Sequence, residues 1–430
     1  MARAARLHAQ NEYVCEYVPV RTAYRCRAYP DPAQQQALAR TFGCVRVVWN
    51  RTLAARHARW HAEAKGTSYA ATDRALTEMK KDPSLAFLNE VSSVPLQQAL
   101  RHQHKAFTAF FERRARYPRF KSRRSRQSAH YTRRAFSLHG GVLRLAKTDA
   151  PLEFVWSWPD VDVTALDPAM VIVSREPDSR WYVTFTIDTD PPAPLEKVGH
   201  AVGVDLGVKD FAVTSDGERI PNLRHLARKA RNLARYQRRL ARCRKCSANR
   251  AKAAAKVARA HRKVRNARQD FLQRASTRLV RKADLIVIED LAVKNMMRNR
   301  RLAKAISDCG WGEFRRQLAY KCERYGRKLI VIDRWYPSSK TCSACGHLIA
   351  ELSLSARRWT CPACRARHDR DVNAAKNILA AGLAVTLDSQ GHACGAGVRH
   401  PGSSWVRPAM KQETQPVTVG ISVLQLQGGE

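Results

Sequence analysis

AVGVDLGVKDFAVTSDG, residues 201–217, is the stretch of sequence that decides the fold. Ala201–Asp205 is a short apolar run of the kind buried inside a sheet, and Asp210–Thr214 is a second one, reached through a tight turn at Gly207. Asp216 and Gly217 mark a further hairpin. The stretch therefore predicts two adjacent strands at the start of a folded domain.

Strands and helices continue to alternate after this stretch. Apolar strands are predicted at Asp284–Glu289 and Lys328–Asp333, on either side of a helix centred on Trp311–Tyr325. A short alanine-rich helix, Val372–Ala381, closes the domain. This alternation predicts an α/β domain over residues 199–382.

Three acids stand out by position in this domain. Asp205 ends the strand AVGVD, Glu289 ends LIVIE, and Asp371 begins the last helix. Each acid taken alone is more simply explained as a cap or a turn residue. Together, carboxylates at the ends of buried strands would repel one another unless divalent cations neutralised them. Two Mg²⁺ (or Mn²⁺) ions held by such acids would hydrolyse phosphodiesters, and this order of acids is the layout of ribonuclease-H-like nucleases.

Four cysteines have the spacing of a zinc ribbon. They form two CxxC pairs separated by fifteen residues: Cys342, Cys345, Cys361 and Cys364. Each pair forms a knuckle that presents two thiolates, and two knuckles complete a tetrahedral Zn²⁺ site, although chance cysteines or a redox pair are alternatives. Gly346 suits the left-handed turn after the first knuckle, whereas Arg365 suits the second less well. Four thiolates leave no open position, so the zinc would be structural.

The charge of the chain indicates a polyanionic partner. The 430 residues include 77 Lys and Arg against 37 Asp and Glu, which gives a net charge of +40. Nucleic acid is the usual polyanion that offsets such self-repulsion. No run of 18 apolar residues and no export signal is present, so we predict a cytoplasmic protein without membrane contact, in which the twelve cysteines stay reduced.

Two segments concentrate the positive charge. Residues 224–268 contain eighteen Lys and Arg and no acid, with apolar residues at heptad spacing, which predicts a basic helical hairpin over 224–282. Cys243 and Cys246 near its turn lack a second pair and are explained as ordinary cysteines. Residues 113–134 contain ten Lys and Arg interleaved with aromatic rings, a pattern suited to phosphates and unstacked bases. A merely solvated charged surface is the alternative for both segments.

Outside the α/β domain, the chain divides into four predicted parts. Strands at 20–29 and within 135–190 predict a β-barrel domain, which a helical insertion over 30–134 interrupts. The zinc ribbon, 340–367, is inserted in the α/β domain. Residues 1–19 are an N-terminal extension, and 383–430, rich in Gly, Ser, Pro and Gln, are predicted to be a disordered tail.

These motifs resemble the TnpB family of transposon-encoded, RNA-guided DNA endonucleases, which are related to the type V CRISPR effectors. GVDLGVKDFAVTSDG, VIEDL, SDCGWGEFRRQL, CSACG, WTCPAC and HDRDVNAAKNI occur in the family's order and are similar to its RuvC half. YRCRAYPDPAQQQALARTFGCVRVVWN and AFFERRARYPRFK resemble its N-terminal half. The resemblance covers about residues 20–380.

The resemblance implies roles for particular residues. Asp205, Glu289 and Asp371 fall on the family's metal-binding catalytic triad, with Asp371 preferred over Asp369. It also implies a wedge-like β domain that holds a guide RNA from the transposon end and helps read a short motif beside a double-stranded DNA target. The nucleic-acid contacts that we predict, in part from the charge pattern, are Tyr69, Ser93, Gln97, Arg113, Arg114, Arg116, Tyr117, Arg119, Phe120, Lys121, Arg357 and Arg358.

Three other functions compete with a nuclease. An RNA-guided DNA-binding regulator would have lost an acid of the triad, whereas this chain retains all three. A strand-transfer transposase uses three acids on a related fold, but the resemblance implies cleavage alone. An RNA-binding zinc-ribbon protein would leave the strand-end acids unexplained.

Overall fold

The structure is a computed structural model that describes residues 20–391, apart from 124, 125, 191 and 354. The predicted extension, 1–19, and residues 392–430 of the predicted tail lie outside the described residues. The described residues up to Gly382 form one compact unit, and the chain from Leu383 belongs to a second. Within the described part of the chain, no helix is both long enough and apolar enough to cross a membrane.

The first half of the chain combines antiparallel strands with three helices. The strands are β1 (Val20–Ala28), β2 (Gln127–Thr132), β3 (Phe136–His139), β4 (Val142–Leu145), β5 (Phe154–Val155), β6 (Met170–Arg175) and β7 (Trp181–Thr189). The helices are α1 (Pro32–Glu63), α2 (Tyr69–Lys81) and α3 (Ser93–Phe111). Five strands form a sheet in the order β2-β6-β7-β1-β5, and β3 and β4 form a separate hairpin.

Helix α1 begins where the sequence predicts. Asp31 Oδ1 accepts the N–H of Gln34 at 2.8 Å, while the N–H of Asp31 donates to Gln34 Oε1 at 3.1 Å. This capping box satisfies N–H groups that the first turn leaves free, and Pro32 sets the φ angle of that turn. Leu38 and Phe42 of the same helix are buried against the β sheet, so α1 anchors the helical insertion to the sheet.

The helical insertion ends before residue 134, its predicted C-terminal boundary. Residues 127–132 form strand β2, which pairs with β6. Ala129 and Tyr131 of this strand are buried in the core of the sheet, while their neighbours are more exposed. The prediction was wrong here because the surrounding arginines conceal a short alternating pattern.

The β domain has open edges in the described residues. The apolar run Leu152–Trp158, a predicted strand within 135–190, contributes only the two residues of β5. Trp156 Nε1 donates to the carbonyl oxygens of Trp158 and Val161, both at 2.8 Å, and turns the chain away. β2 and β5 lie at the two edges of the sheet, and no ladder between described residues joins them. The closed barrel stays a prediction.

The second half of the chain is a mixed α/β domain. Its strands are β8 (Ala201–Leu206), β9 (Asp210–Thr214), β10 (Arg219–Pro221), β11 (Leu285–Glu289), β12 (Lys328–Ile332), β13 (Arg358–Thr360) and β14 (Arg367–Asp369). Its helices are α4 (His225–Arg242), α5 (Ala248–Lys282), α6 (Val293–Met296), α7 (Ala303–Cys309), α8 (Trp311–Arg324) and α9 (Arg370–Gly391). The main sheet has the order β10-β9-β8-β11-β12, with β8, β11 and β12 parallel.

The basic hairpin consists of α4 and α5. Leu233 and Val264, both predicted at its apolar seam, are buried. Ser247 Oγ accepts the N–H of Arg250 at 3.1 Å and caps the start of α5, which explains the break in the helical pattern. Most basic side chains of the two helices face outward.

The last helix is longer than predicted. The sequence analysis ends it at Ala381 and begins a disordered tail at residue 383, whereas α9 continues to Gly391. Gly382 lies inside α9 and does not end it. Because Gly382 has no side chain, this turn of the helix can pack closely on Val287, where a Cβ would lie 2.5 Å from a methyl carbon. No proline or glycine follows until Gly391, so helical backbone can continue over 383–391.

Ion pairs join the β domain to helix α5. Asp178, in the turn between β6 and β7, is nearly fully buried and accepts from Arg262 Nε at 2.5 Å. Glu176 in the same turn pairs with Arg25 and Arg265. Burial opposes ionisation, but the Arg262 guanidinium holds the pKa of Asp178 below its usual value. The stability from this pair is therefore complete at neutral pH and is lost as pH falls through the lowered pKa.

We expect Asp178→Ala to reduce the free energy of unfolding by about 3–5 kcal/mol, because the buried Arg262 guanidinium would lose its carboxylate partner. Asp188→Ala, which removes the exposed pair with Arg21 in the same β sheet, should cost far less, because solvent screens that pair. Urea denaturation followed by circular dichroism measures both. Equal losses in the two variants would contradict a structural role for the buried pair.

Candidate active site, metal centre and nucleic-acid contacts

The two strand-end acids lie side by side at one edge of the main sheet. β8 and β11 are parallel neighbours, paired in register as far as Val204 and Ile288. Asp205 and Glu289 each follow these residues by one position, on strands spaced about 4.8 Å apart. The strand register therefore places their carboxylates at the same sheet edge.

Helix α9 brings Asp371 to that edge. Asp371 lies in its first turn, and the helix packs closely against β8 at Gly203. A Cβ at Gly203 would lie 2.1 Å from the carbonyl oxygen of Ala375 and 2.7 Å from the backbone nitrogen of Leu379. Because only glycine permits this approach of two backbones, Gly203 decides how near Asp371 comes to Asp205.

The three acids share one electrostatic environment. Burial, followed by the carboxylates of Glu289 and Asp371, raises the pKa of Asp205 to about 7. Burial also raises the pKa of Glu289, against the opposing effect of a hydrogen bond from Ser338 Oγ at 2.5 Å. The structure thus brings together Asp205, Glu289 and Asp371, at a cost in repulsion and desolvation.

Asp369 makes different contacts from Asp371. Its Oδ1 accepts the N–H groups of Asp371 and Val372, both at 3.2 Å, and so caps the start of α9. Its other oxygen pairs with Arg219 at 2.8 Å. Of these two aspartates, only Asp371 contributes to the raised pKa of Asp205, and this geometry supports the preference for Asp371.

Two arginines flank Asp371. Arg357 Nη1 lies 3.4 Å from one of its oxygens, and Arg219 Nη1 lies 3.7 Å from the other. Arg219 also pairs with Asp210 at 2.8 Å. Arg357, which the sequence analysis assigns to strand contact, therefore pairs with a candidate catalytic acid, while the neighbouring Arg358 is exposed on β13. Sequence reasoning missed Arg219, which carries no motif of its own.

A set of amide hydrogen bonds braces the site. The side-chain amide of Asn377 donates to the carbonyl oxygens of Ser338 at 2.7 Å and Thr341 at 2.6 Å, and that of Asn373 donates to Thr341 at 2.7 Å. Ser338 in turn holds Glu289, so α9 and the strand-end acid are linked through one loop. Sequence reasoning missed these residues. The signal that could have found them is two asparagines at i, i+4 among the alanines of α9.

The donor set of the acid cluster suits a hard divalent cation. Carboxylate oxygens are the ligands that Mg²⁺ and Mn²⁺ prefer, and three carboxylates lie near one another here. Among the described residues, the four cysteines are the only group of three or more whose ligand atoms lie close enough together to hold an ion, so the three carboxylates would draw nearer on binding one. Desolvation and repulsion raise the pKa of Asp205, and a bound cation would relieve both. The residue types present therefore fit a divalent cation.

We expect Gly203→Ala to lower the melting temperature and to reduce any nuclease activity at least about 100-fold, because α9 must shift away from β8 and carry Asp371 with it. Gly43→Ala is the matched control. Gly43 lies inside α1 with no atom within 4 Å of a built Cβ, so this change should raise stability by about 0.5–1 kcal/mol. Calorimetry and a cleavage assay measure both variants, and an active, stable Gly203→Ala protein would contradict this account of the site.

The four predicted zinc cysteines form one cluster. The Sγ atoms of Cys342, Cys345, Cys361 and Cys364 lie within 4.8 Å of one another. Gly346 and Arg365, each following a CxxC pair, both adopt the left-handed conformation, with φ of 77° and 63°. The cluster is a structural metal site in its geometry, and four thiolates suit Zn²⁺. His368 Nε2 lies 3.1 Å from Cys342 Sγ, where it can orient a ligand.

Three of the predicted nucleic-acid contacts, which the family resemblance assigns to reading the flanking motif, lie on neighbouring helices. Ser93 and Gln97 are one turn apart on α3, and Lys80 of α2 donates to Ser93 Oγ. Tyr69 begins α2, and its hydroxyl accepts a hydrogen bond from Arg101 Nε at 3.4 Å. Lys80 and Arg101, which the sequence analysis did not select, therefore lie beside Ser93 and Tyr69 on helices α2 and α3.

Within the predicted basic segment 113–134, the predicted contacts at 113–121 divide by exposure. Trp49 Nε1 of α1 donates to the carbonyl oxygen of Arg119, and the Lys121 ammonium lies 4.0 Å from the centre of the Trp49 ring. Lys121 is less exposed than the other predicted contacts at 113–121, and this burial lowers its pKa. The remaining predicted contacts are exposed: Arg113, Arg114, Arg116, Tyr117, Arg119 and Phe120. Arg114 pairs with Glu112.

Comparison with solved structures identifies the class of fold. The chain superposes on the Cas12f1 protein of a Cas12f1–sgRNA–target DNA complex with a TM-score of 0.52 and 16% identity, covering 80% of this chain and 82% of that one. Three family models match the sequence: "Probable transposase" of the OrfB/IS605 group over 184–300, "Cas12f1-like, TNB domain" over 311–378 and "Helix-turn-helix domain" over 20–65. The fold is that of the RuvC-containing effectors.

Comparison with other sequences identifies the family. A Streptomyces pristinaespiralis protein named "Putative RNA-guided DNA endonuclease" is 50% identical over 406 residues, covering 94% of this chain and 98% of that protein. InsQ of Escherichia coli K12, with the same description, is 30% identical over 84% of this chain and 92% of its own length. The chain belongs to the TnpB family of RNA-guided DNA endonucleases.

Proposed function

We propose that this protein is an RNA-guided endonuclease that cuts DNA at a single RuvC-like site formed by Asp205, Glu289 and Asp371. The observation that carries the proposal is the position of three acids, at the ends of two neighbouring parallel strands and in the first turn of the helix packed on them. Burial, followed by the carboxylates of Glu289 and Asp371, raises the pKa of Asp205 to about 7. Acids are costly in such a position, and metal-dependent phosphodiester hydrolysis is the chemistry that uses them.

Asp205, Glu289 and Asp371 would hold the Mg²⁺ or Mn²⁺ ions. When bound, these ions supply charge neutralisation at the phosphate and activation of water for hydrolysis. Ser338 keeps the Glu289 carboxylate oriented through its hydrogen bond, and Asn377 fixes the loop that carries Ser338. Arg219 and Arg357 pair with Asp371, and both would release it toward a metal and contact the phosphates of the substrate strand.

The remaining domains would bind nucleic acid. The basic hairpin, 224–282, and the exposed cations of 113–121 are placed for RNA and DNA phosphates, while the ribbon held by zinc would help seat the target strand near the site. The guide RNA, transcribed from the transposon end, would read the double-stranded target by base pairing. Tyr69, Ser93 and Gln97 would read a short motif beside it.

The names of the relatives and the Cas12f1 complex support RNA and DNA as partners. We place the protein in the cytoplasm, at the nucleoid when bound to DNA.

The first experiment is to express the chain from its own locus, purify it and sequence the RNA that accompanies it. A single RNA species, with a protected scaffold and a 3′ segment that matches DNA beside the element, is the expected result. Heterogeneous RNA that moderate salt removes would mean that the +40 charge binds RNA without selection, and it would overturn RNA guidance. The same RNA then provides the guide for a cleavage assay.

A further inference from the structure

A cavity of about 550 Å³ lies between α1 and α3. Its lining residues are far in sequence from Asp205, Glu289 and Asp371. Its walls include five aromatic residues: Trp60, Phe107, Phe110, Phe111 and Tyr117. Arg56 and Lys65 also line it, and none of its lining residues is Asp or Glu. We call this cavity the α1–α3 pocket. Its size is that of a small-molecule site, and it would admit one nucleotide but not a duplex.

The pocket exposes large aromatic rings to solvent. Trp60 is 53% exposed, Phe111 66% and Tyr117 42%. Tyr117 stands edge-on against Phe107 and Phe110, with ring centres 5.5 and 5.4 Å apart, so the rings are held in place by one another. Exposed rings grouped around one cavity are typical of a binding site rather than of a solvated surface. Their faces are free to stack on a planar ligand.

Arg56 at the pocket wall is buried without an acceptor. The side chain belongs to a residue only 7% exposed, and its Nε and Nη2 atoms have no hydrogen-bond partner among the described residues. The guanidinium carbon lies 4.9 Å from the centre of the Phe107 ring. An unpartnered buried donor costs free energy, and a charged one costs more. These two nitrogen atoms do not face the open cavity, but an anionic ligand in the pocket would offset the charge of the buried guanidinium.

We propose that the α1–α3 pocket binds one unstacked nucleotide of the guide RNA, with its base against Trp60 and Phe111 and its phosphate near the positive charges of Arg56 and Lys65. An aromatic, anionic ligand matches both the rings and the acid-free lining. RNA is the source because loops and bulges present bases that are already unstacked, whereas duplex DNA must first give up stacking. The inference rests on the proposed RNA-guided function.

The test is ultraviolet crosslinking of the protein to its co-purified RNA, followed by digestion and mass spectrometry. We expect crosslinked nucleotides on peptides that contain Trp60 or Phe111. The double variant Trp60→Ala, Phe111→Ala should lose these crosslinks and bind the same RNA about tenfold more weakly, because stacking on an aromatic residue stabilises a bound base to that extent. Both side chains are exposed, so the variant should fold normally.

Phe87→Ala is the matched control. Phe87 lies in the same helical insertion, is 39% exposed and does not line the pocket, so its removal should leave RNA affinity unchanged. If the double variant binds RNA as tightly as the wild type, and the wild type performs guided cleavage, then only the proposal for the pocket is overturned. Crosslinks from these peptides to a target DNA strand instead of RNA would also overturn it. Wild-type protein without a discrete RNA would overturn the proposed function, and the pocket with it.

Discussion

Glu289→Gln should abolish DNA cleavage while the protein still binds its RNA and its target. The substitution keeps the shape of the side chain and an oxygen that can accept from Ser338, but it removes the charge that would hold a divalent cation. We expect the cleavage rate to fall by about 10³-fold or more, the usual effect of losing an essential catalytic group. Single-turnover cleavage with guide RNA and a gel-shift assay on the same preparation measure both properties.

Asp333→Asn is the matched control for this variant. Asp333 follows the end of β12, the strand beside β11, and its carboxylate is exposed and accepts the N–H of Trp335. It has no part in the acid cluster, so its cleavage rate should stay close to that of the wild type. A Glu289→Gln protein that cuts normally would refute the assignment of the site. Wild-type protein that binds a guided target without cutting it would instead favour the RNA-guided regulator.

Cys361→Ser should release the metal from the cysteine cluster and inactivate the nuclease. Cys361 is fully buried, and its Sγ lies 3.7 Å from that of Cys345 across the two knuckles. Structural zinc contributes on the order of 10 kcal/mol to the folding of small ribbons, so residues 340–367 should lose their structure without it. Thr341, at the start of the ribbon, is bonded to Asn373 and Asn377 of α9, and unfolding here should therefore disturb Asp371.

The second CxxC pair provides the control. Cys246 is exposed at the turn of the basic hairpin and is not part of the four-cysteine cluster, so Cys246→Ser should retain the metal and the activity. Elemental analysis should find about one zinc per chain in the wild type and in Cys246→Ser, and close to none in Cys361→Ser. Zinc that stays at wild-type levels in Cys361→Ser would contradict the proposed site.

The α/β domain was the most predictable part of the chain. Its buried strands are uninterrupted apolar runs, and the structure has β9 at the predicted residues and β8 and β11 within one residue of theirs. In the β domain, by contrast, strand β2 lies inside an arginine-rich segment and β5 is cut short by the hydrogen bonds of one indole. Local patterns predicted strands where burial on both faces demands apolar residues, and they were weaker where only one face is buried.

Sequence by itself determined which chemistry to expect of this protein: the charge predicts a polyanion binder, the spacing of four cysteines predicts a zinc ribbon, and three acids lie at the ends of predicted elements. Only the tertiary structure decided that α9 approaches β8 at Gly203, that Arg219 and Arg357 flank Asp371, and that two asparagines link the ribbon to the active-site helix. It also decided that Arg56 and five aromatic residues meet in one pocket. The physical reason is that side-chain chemistry and local periodicity belong to neighbouring residues, whereas these contacts join residues far apart in the chain and exist only once the elements have packed.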